Sequence, residues 1–348
     1  MFARFPSIHP RLRLALTMAA ISTLFLFGLQ MPVGAQTTPA ESLTVYSGRS
    51  AGLIGPILDQ FTAETGVQVL VRYGGTAEMA ATILEEGDNS PADIFIAQDA
   101  GALGALADAG RLIPLPSDVL ERVPAAYASR DGLWVGLSGR ARVLIYNTGL
   151  VSEAELPASI LDLTDPRWQG QIAWAPANGS FQANVTAMRL LIGEDATRQW
   201  LSDMVANGAI AYDSNDTIVQ AVAGGEVAAG LVNHYYLYEF LAQDPDLPIA
   251  LHYFAPGDPG ALINVAGAGV LNSSDQPGLA QRLILYLLGQ QAQQYFAETT
   301  YEYPLVANIP TARGIRPLDE ITGPAIDLSD LSDLQATLDL LHDTGALP

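Results

Sequence analysis

The chain has 348 residues, no Cys, no Lys and a formal net charge of −21 at pH 7. That composition excludes lysine Schiff bases, phosphate-loop lysines and cysteine nucleophiles, and it argues against nucleic acid, whose phosphates call for clustered cations. The acidity instead suits solubility and the gathering of cations.

The first 35 residues read as a signal peptide. "MFARFPSIHPRLR" is a basic n-region with Arg4, Arg11 and Arg13, and "LALTMAAISTLFLFGL" is an apolar h-region. "VGAQ" (33–36) then offers cleavage after Ala35. The h-region is short of the roughly 20 residues that a spanning helix needs, so removal is expected rather than retention as an anchor. Without Cys there is no lipid-modified N-terminal cysteine. A soluble protein exported from the cytoplasm is expected, with no membrane insertion after cleavage. The remaining length exceeds what one ordinary core holds, so two lobes are expected.

The next third alternates strand and helix signals. "LTVYSG" is a strand. Leu53, Ile57, Leu58 and Phe61 then lie on one helical face, with Pro56 tolerable in a first turn and Gly66 fitting the helix C-terminus. "VQVLVRY", "TAEMAATILEEG", "ADIFIAQD" and "AGALGALADAG" continue as strand, helix, strand, helix. Such alternation predicts parallel strands covered on both faces. "GLWVGLSGRARVLIYN" (132–147) is long for one strand and is read as crossing between lobes. "QIAWAPA" is a strand, "SFQANVTAMRLLIG" and "ATRQWLSDMVANG" are helices, "TIVQAVAGG" is a helix and "EVAAGLV" a strand. Residues 247–271 read as strand, turn, strand, carrying the chain back to the first lobe. "GLAQRLILYLLGQQAQQYFAETT" is helical, with Leu279, Leu283 and Leu287 four apart. The expected fold is α/β: two doubly wound lobes joined by crossing strands, with a ligand cleft at the strand ends and closure as the expected motion.

In order along the chain, "LTVYSGR", "EEGDNSPADIF", "GLSGRARVLIYN", "NGSFQANVTA", "QAVAGGEVAAGLVNHYY" and "DPGALINVAG" resemble the periplasmic solute-binding proteins of ferric-iron ABC transporters. The resemblance covers about residues 43 to 310 and implies a bilobal periplasmic-binding-protein fold of type II. The lobes are assigned as 42–138 plus 266–313 and as 139–265 plus 314–348. It also implies a monomeric carrier, not an enzyme, that delivers its cargo to a membrane permease driven by an ATPase.

In that family a Tyr-Tyr dyad binds Fe³⁺, so Tyr235 and Tyr236 are the implied metal ligands. Ferric ion is small and hard and prefers anionic oxygen. A phenol is protonated at neutral pH, but a bound cation favours loss of that proton. An isolated Tyr-Tyr pair would more often be rings packed under a loop; its place after "AAGLV" and the resemblance together reverse that. Relatives often add a synergistic anion, carbonate or phosphate, and a helix N-terminus suits one. By resemblance Asn178, Gly179, Ser180, Asn215 and Asn233 fall where that anion is held, with Arg140 either pairing with it or bridging the lobes. "NGS" is equally an ordinary helix cap.

The chain departs from the pattern in its first lobe. Ser50 stands where many relatives have His, Gln98 where they have Glu, and no third Tyr stands at Ser180. Possible first-lobe contacts are Arg49, Ser50 and Gln98, with Asp99 capping the next helix. Tyr238 and Tyr46 are read as packing, and His234 as pointing away from the dyad. The alternative reading keeps the fold and changes the cargo to a chelated ferric complex or a metal-free oxyanion. Neither a P-loop nor a G-x-G-x-x-G pattern appears in the Gly-containing stretches.

Overall fold

The computed structural model describes residues 41–348; the signal-peptide expectation lies outside them. Ten strands are present among these residues: β1 (Ser42–Ser47), β2 (Gln68–Tyr73), β3 (Ile94–Ala97), β4 (Val135–Asn147), β5 (Ile172–Trp174), β6 (Ile210–Ala211), β7 (Ala229–Asn233), β8 (Ile249–His252), β9 (Ile263–Val270) and β10 (Tyr303–Pro304). The helices are α1 (Ala51–Thr65), α2 (Thr76–Glu86), α3 (Ala100–Asp108), α4 (Ser117–Leu120), α5 (Gly179–Ile192), α6 (Glu194–Ala206), α7 (Asn215–Ala223), α8 (Tyr235–Gln243), α9 (Pro277–Leu287), α10 (Gln290–Glu298) and α11 (Leu334–Asp343).

The strands pair in the order β2-β1-β3-β9-β4-β7-β5-β6, with β8 and β10 also on β4. Strand β4 is the hinge of this arrangement, and all thirteen of its residues are buried. Its first half, Val135–Ala141, pairs antiparallel with β9. Its second half, from Arg142, pairs antiparallel with β7 and β8. The crossing read from 132–147 is therefore a single strand shared by two half-sheets. Within each half the βα units pair in parallel, β1 with β2 and β3, and β5 with β6 and β7. The sheets are mixed rather than wholly parallel, because β9 runs antiparallel to β3 in the first half and β4 runs antiparallel to β7 in the second.

Each half-sheet has its own apolar packing. Leu43, Val45, Ile54, Phe61, Phe95, Leu283 and Phe296 belong to one cluster. The other half is sandwiched between a cluster around Trp174, Phe181 and Trp200 and one around Val143, Ile218 and Val232. The tail after 313 does not belong to one half. Leu328 and Leu331 pack in the first cluster, whereas Leu340 and Leu341 of α11 pack in the second.

Two local features differ from the sequence reading. Pro56 is the sixth residue of α1, beyond the first turn. Having no N–H, it leaves the Gly52 carbonyl without its helical donor. The Tyr295 hydroxyl donates there instead, at 3.4 Å from Gly52 O and 3.2 Å from Leu53 O. The long helix expected over 278–300 is broken at Leu288–Gly289 into α9 and α10. Gly66 closes α1 in the left-handed conformation, φ 77°, as its position implied. Among the described residues no helix is long and apolar enough to cross a membrane.

Candidate functional site

The residues "AGLVN" of β7 are wholly buried between β4 and β5. One residue further, the chain is fastened again to β4. The His234 N–H donates to Ala141 O at 3.0 Å, and the Ala141 N–H donates to His234 Nδ1 at 3.2 Å. Accepting at Nδ1 puts the ring proton on Nε2. Burial lowers the imidazole pKa to about 3, so it is neutral. The ring stacks on Tyr303, centroids 4.1 Å apart. His234 does not point away from the dyad as its neighbouring position suggested: its ring also packs edge-on against Tyr235, centroids 5.9 Å apart, and its Nδ1 is taken up in fixing the end of the strand.

That anchor starts α8 at Tyr235, so the two phenols occupy the first two helical positions. Their rings lie side by side, centroids 4.4 Å apart and tilted by 31°. Tyr235 is fully buried, but its hydroxyl is in polar company. It accepts from Gln98 Nε2 at 3.3 Å, which comes from the end of β3, and from Asn233 Nδ2 at 3.5 Å. The half-buried Tyr236 has the Asn215 amide facing its hydroxyl. Neither Nδ2 nor Oδ1 of that buried Asn has a hydrogen-bond partner. Burial, and then the negative charge of Glu302, raise the Tyr235 phenol, with Arg140 pulling it back. Tyr236 is raised well above its ordinary value by burial and by Tyr235. Both are neutral phenols at neutral pH until something displaces their protons.

Cations line the other side. Ser138, Arg140 and Arg142 alternate along β4 and share a face. Arg142 donates from Nη1 to Asn233 Oδ1 at 3.2 Å. Burial, and then the charge of Arg140, lower its pKa to about 10, which leaves it charged. Arg140 is 1% exposed, and its Nε, Nη1 and Nη2 all lack a partner. A fully orphaned buried guanidinium is costly.

The structure therefore gathers Tyr235, Tyr236, Asn233, Gln98, Ser180, Asn215 and Arg140 into one cluster. Ser180 Oγ accepts from Asn233 Nδ2 at 3.3 Å. Asn178 is the N-cap of α5, its Oδ1 accepting from the Ser180 N–H at 3.0 Å, and Gly179 follows it. Two first-lobe candidates are engaged elsewhere in this structure. Arg49 is not free to face an anion, because it forms a fully buried bidentate pair with Glu302. Ser50 is exposed, and its carbonyl takes the Leu53 and Ile54 N–H groups at the start of α1. Asp99 caps α3, and Tyr46 is tied to Glu86 at 2.9 Å. Tyr238 donates to Gly314 O at 3.2 Å. Glu302 and Arg142 lie outside the residues that the sequence pattern marks. The i, i+2 spacing of Arg142 from Arg140 on a predicted strand was a usable signal; Glu302 in "TTYEYP" offered none. Among the described residues, no group of three or more His, Cys, Asp and Glu side chains is arranged to hold a metal.

Comparison with known proteins agrees with this architecture. The family model described as bacterial extracellular solute-binding protein matches residues 89–315. The chain is 33% identical to the Fe(3+)-binding periplasmic protein of Serratia marcescens, over 92% of this chain and 95% of that one. The crystal structure of iron-bound HitA from Pseudomonas aeruginosa superposes with a TM-score of 0.84 at 36% identity, covering 88% of this chain and 99% of that one. A Trichodesmium protein (IdiA, FutA) in complex with iron and citrate gives 0.75 at 30% identity, covering 87% and 99%. With its two half-sheets joined through β4 and polar groups from both converging on one cluster, the chain belongs to the bacterial extracellular solute-binding proteins and has their bilobal type II fold.

Proposed function

We propose that this protein captures ferric ion outside the cytoplasm and delivers it to an ABC importer, with Tyr235 and Tyr236 as the protein ligands. The observation that carries the reading is the pair itself. Two phenol rings stand 4.4 Å apart at the mouth of β7, and the Tyr235 hydroxyl is met by the amides of Gln98 and Asn233. Relatives named for ferric-iron binding and iron uptake support the cargo. Fe³⁺ displaces the two phenolic protons and takes hard anionic oxygens in exchange.

Two phenolates leave other positions on the ion open, and an oxyanion such as carbonate or phosphate is proposed to fill some of them. Arg140, Asn215, Asn233 and Ser180, with Asn178 and Gly179 at the start of α5, are its proposed cradle. The orphaned guanidinium of Arg140 supports this most directly. Gln98, from the half carrying β1 to β3, closes over the phenols as a neutral donor. In this reading the halves are lobes that close around the cargo, and the chain acts as a monomer on the importer's permease and ATPase. The iron-related relatives favour ferric ion over a metal-free oxyanion as the cargo.

Metal and phosphorus analysis of the protein purified from its native compartment tests the assignment. Near-stoichiometric iron is the expected result; a protein carrying anion but no iron would refute it.

A further inference from the structure

Helices α3 and α5 belong to different halves, and the carboxylate of Asp99 lies between their N-termini. Its Oδ1 caps α3, accepting from the Ala102 N–H at 3.2 Å. Its Oδ2 faces the first residue of α5: a methyl group added at Gly179 would lie 3.0 Å from it. Asp99 is 5% exposed. Arg140, with all three guanidinium nitrogens unpartnered, is charge-coupled to it. Burial raises the Asp99 carboxyl and Arg140 opposes the rise. Across from Arg140 on β9 is Asn264, whose Oδ1 accepts from the Ala100 N–H at 3.3 Å, at the same end of α3.

The N-termini of α3 and α5, with an unpaired guanidinium nearby, define a position that attracts negative charge. Here the carboxylate of Asp99 lies at that position. We propose that Asp99 is a resident counter-anion: it occupies the approach to α5 and Arg140 that an incoming oxyanion needs, and so sets the anion requirement of the cleft. It is a positioning residue, acting through Arg140 and α5 rather than on the cargo. Because the carboxylate is carried by one half and Gly179 by the other, the contact also favours closure before any ligand arrives. An oxyanion has to share or displace it, which disfavours weakly charged anions. The inference rests on the proposed function only in taking this cleft as one that admits an oxyanion.

Asp99→Asn tests it, because Asn caps a helix as well as Asp does while losing the charge. Two readouts are taken without iron. Small-angle X-ray scattering in anion-free buffer reports closure, and titration calorimetry with inorganic phosphate reports anion affinity. Wild type is expected to be compact. The variant is expected to be expanded and to bind phosphate about tenfold more tightly, since a buried like charge has been removed. A variant as compact as wild type, or one with unchanged phosphate affinity, overturns the proposal and leaves Asp99 as a helix cap only. If Asp99→Asn does not fold, Asp99→Ser, which keeps a capping oxygen without the charge, decides by the same readouts. Neither measurement uses iron, so their failure is separable from failure of the ferric assignment.

Discussion

Arg49 and Glu302, 253 positions apart in the chain, meet in a fully buried bidentate ion pair, Nη1 to Oε1 at 2.9 Å and Nη2 to Oε2 at 2.6 Å. The Ser138 and Thr300 hydroxyls also donate to the carboxylate, at 3.1 and 2.9 Å. The pair fastens the end of β1 to β10 and keeps Arg49 out of the ligand cluster.

Burial alone would raise the Glu302 carboxyl, but the Arg49 charge and its two hydrogen bonds hold it below the ordinary range. A depressed carboxylate contributes stability that is present above its unfolded pKa of about 4.3 and lost as pH falls through the lower folded value. Glu302→Gln leaves Arg49 buried and uncompensated and should cost about 3–5 kcal/mol at pH 7. Urea midpoints at pH 7 and below pH 4 check this: the variant should be much weaker at pH 7, and the gap should shrink in acid. Equal midpoints at pH 7 would contradict it.

Gln98→Glu is the informative change in the first half. Gln98 already reaches the Tyr235 hydroxyl through Nε2, and its Oε1 has no partner. A carboxylate there offers the cargo an anionic oxygen. Competition with citrate should show ferric affinity raised by about tenfold, roughly 1.4 kcal/mol, with weaker dependence on added phosphate. Unchanged values would mean that this side chain does not reach the ion.

Iron binding should release protons. Both phenols are held neutral, with pKa values raised above the ordinary phenol value. Each must therefore lose its proton to coordinate, and affinity should fall as pH falls, about a hundredfold per pH unit for two protons. Titration in weakly buffered solution, corrected for hydrolysis of the iron salt, should count two protons per iron. A count near zero would exclude the dyad as the ligand pair.

Much of this was legible from local pattern. Strand–helix periodicity marked β1 to β3 with their helices, and the length of 132–147 marked β4 as the crossing element. Gly66 and Asp99 sit where cap chemistry puts them. What pattern could not give was partnership across long separations. Nothing in "SGRS" says that Arg49 meets Glu302 of "TYEYP", so local pattern alone leaves Arg49 available to a ligand. Ser50, one residue later, turns to solvent at the start of α1. The break at Leu288–Gly289 was hidden by continuous helical spacing on both sides. The closeness of the two tyrosine rings depends on the His234–Ala141 hydrogen bonds, which set where α8 begins, and no spacing rule contains that tertiary contact.

The most direct test is the visible spectrum of the protein loaded with ferric ion in the presence of carbonate, phosphate or citrate. Wild type should develop a phenolate-to-iron charge-transfer band, each of Tyr235→Phe and Tyr236→Phe should weaken and shift it, and the double variant should lack it while remaining folded. A wild-type protein that stays colourless, or a double variant that keeps the band, would contradict the account.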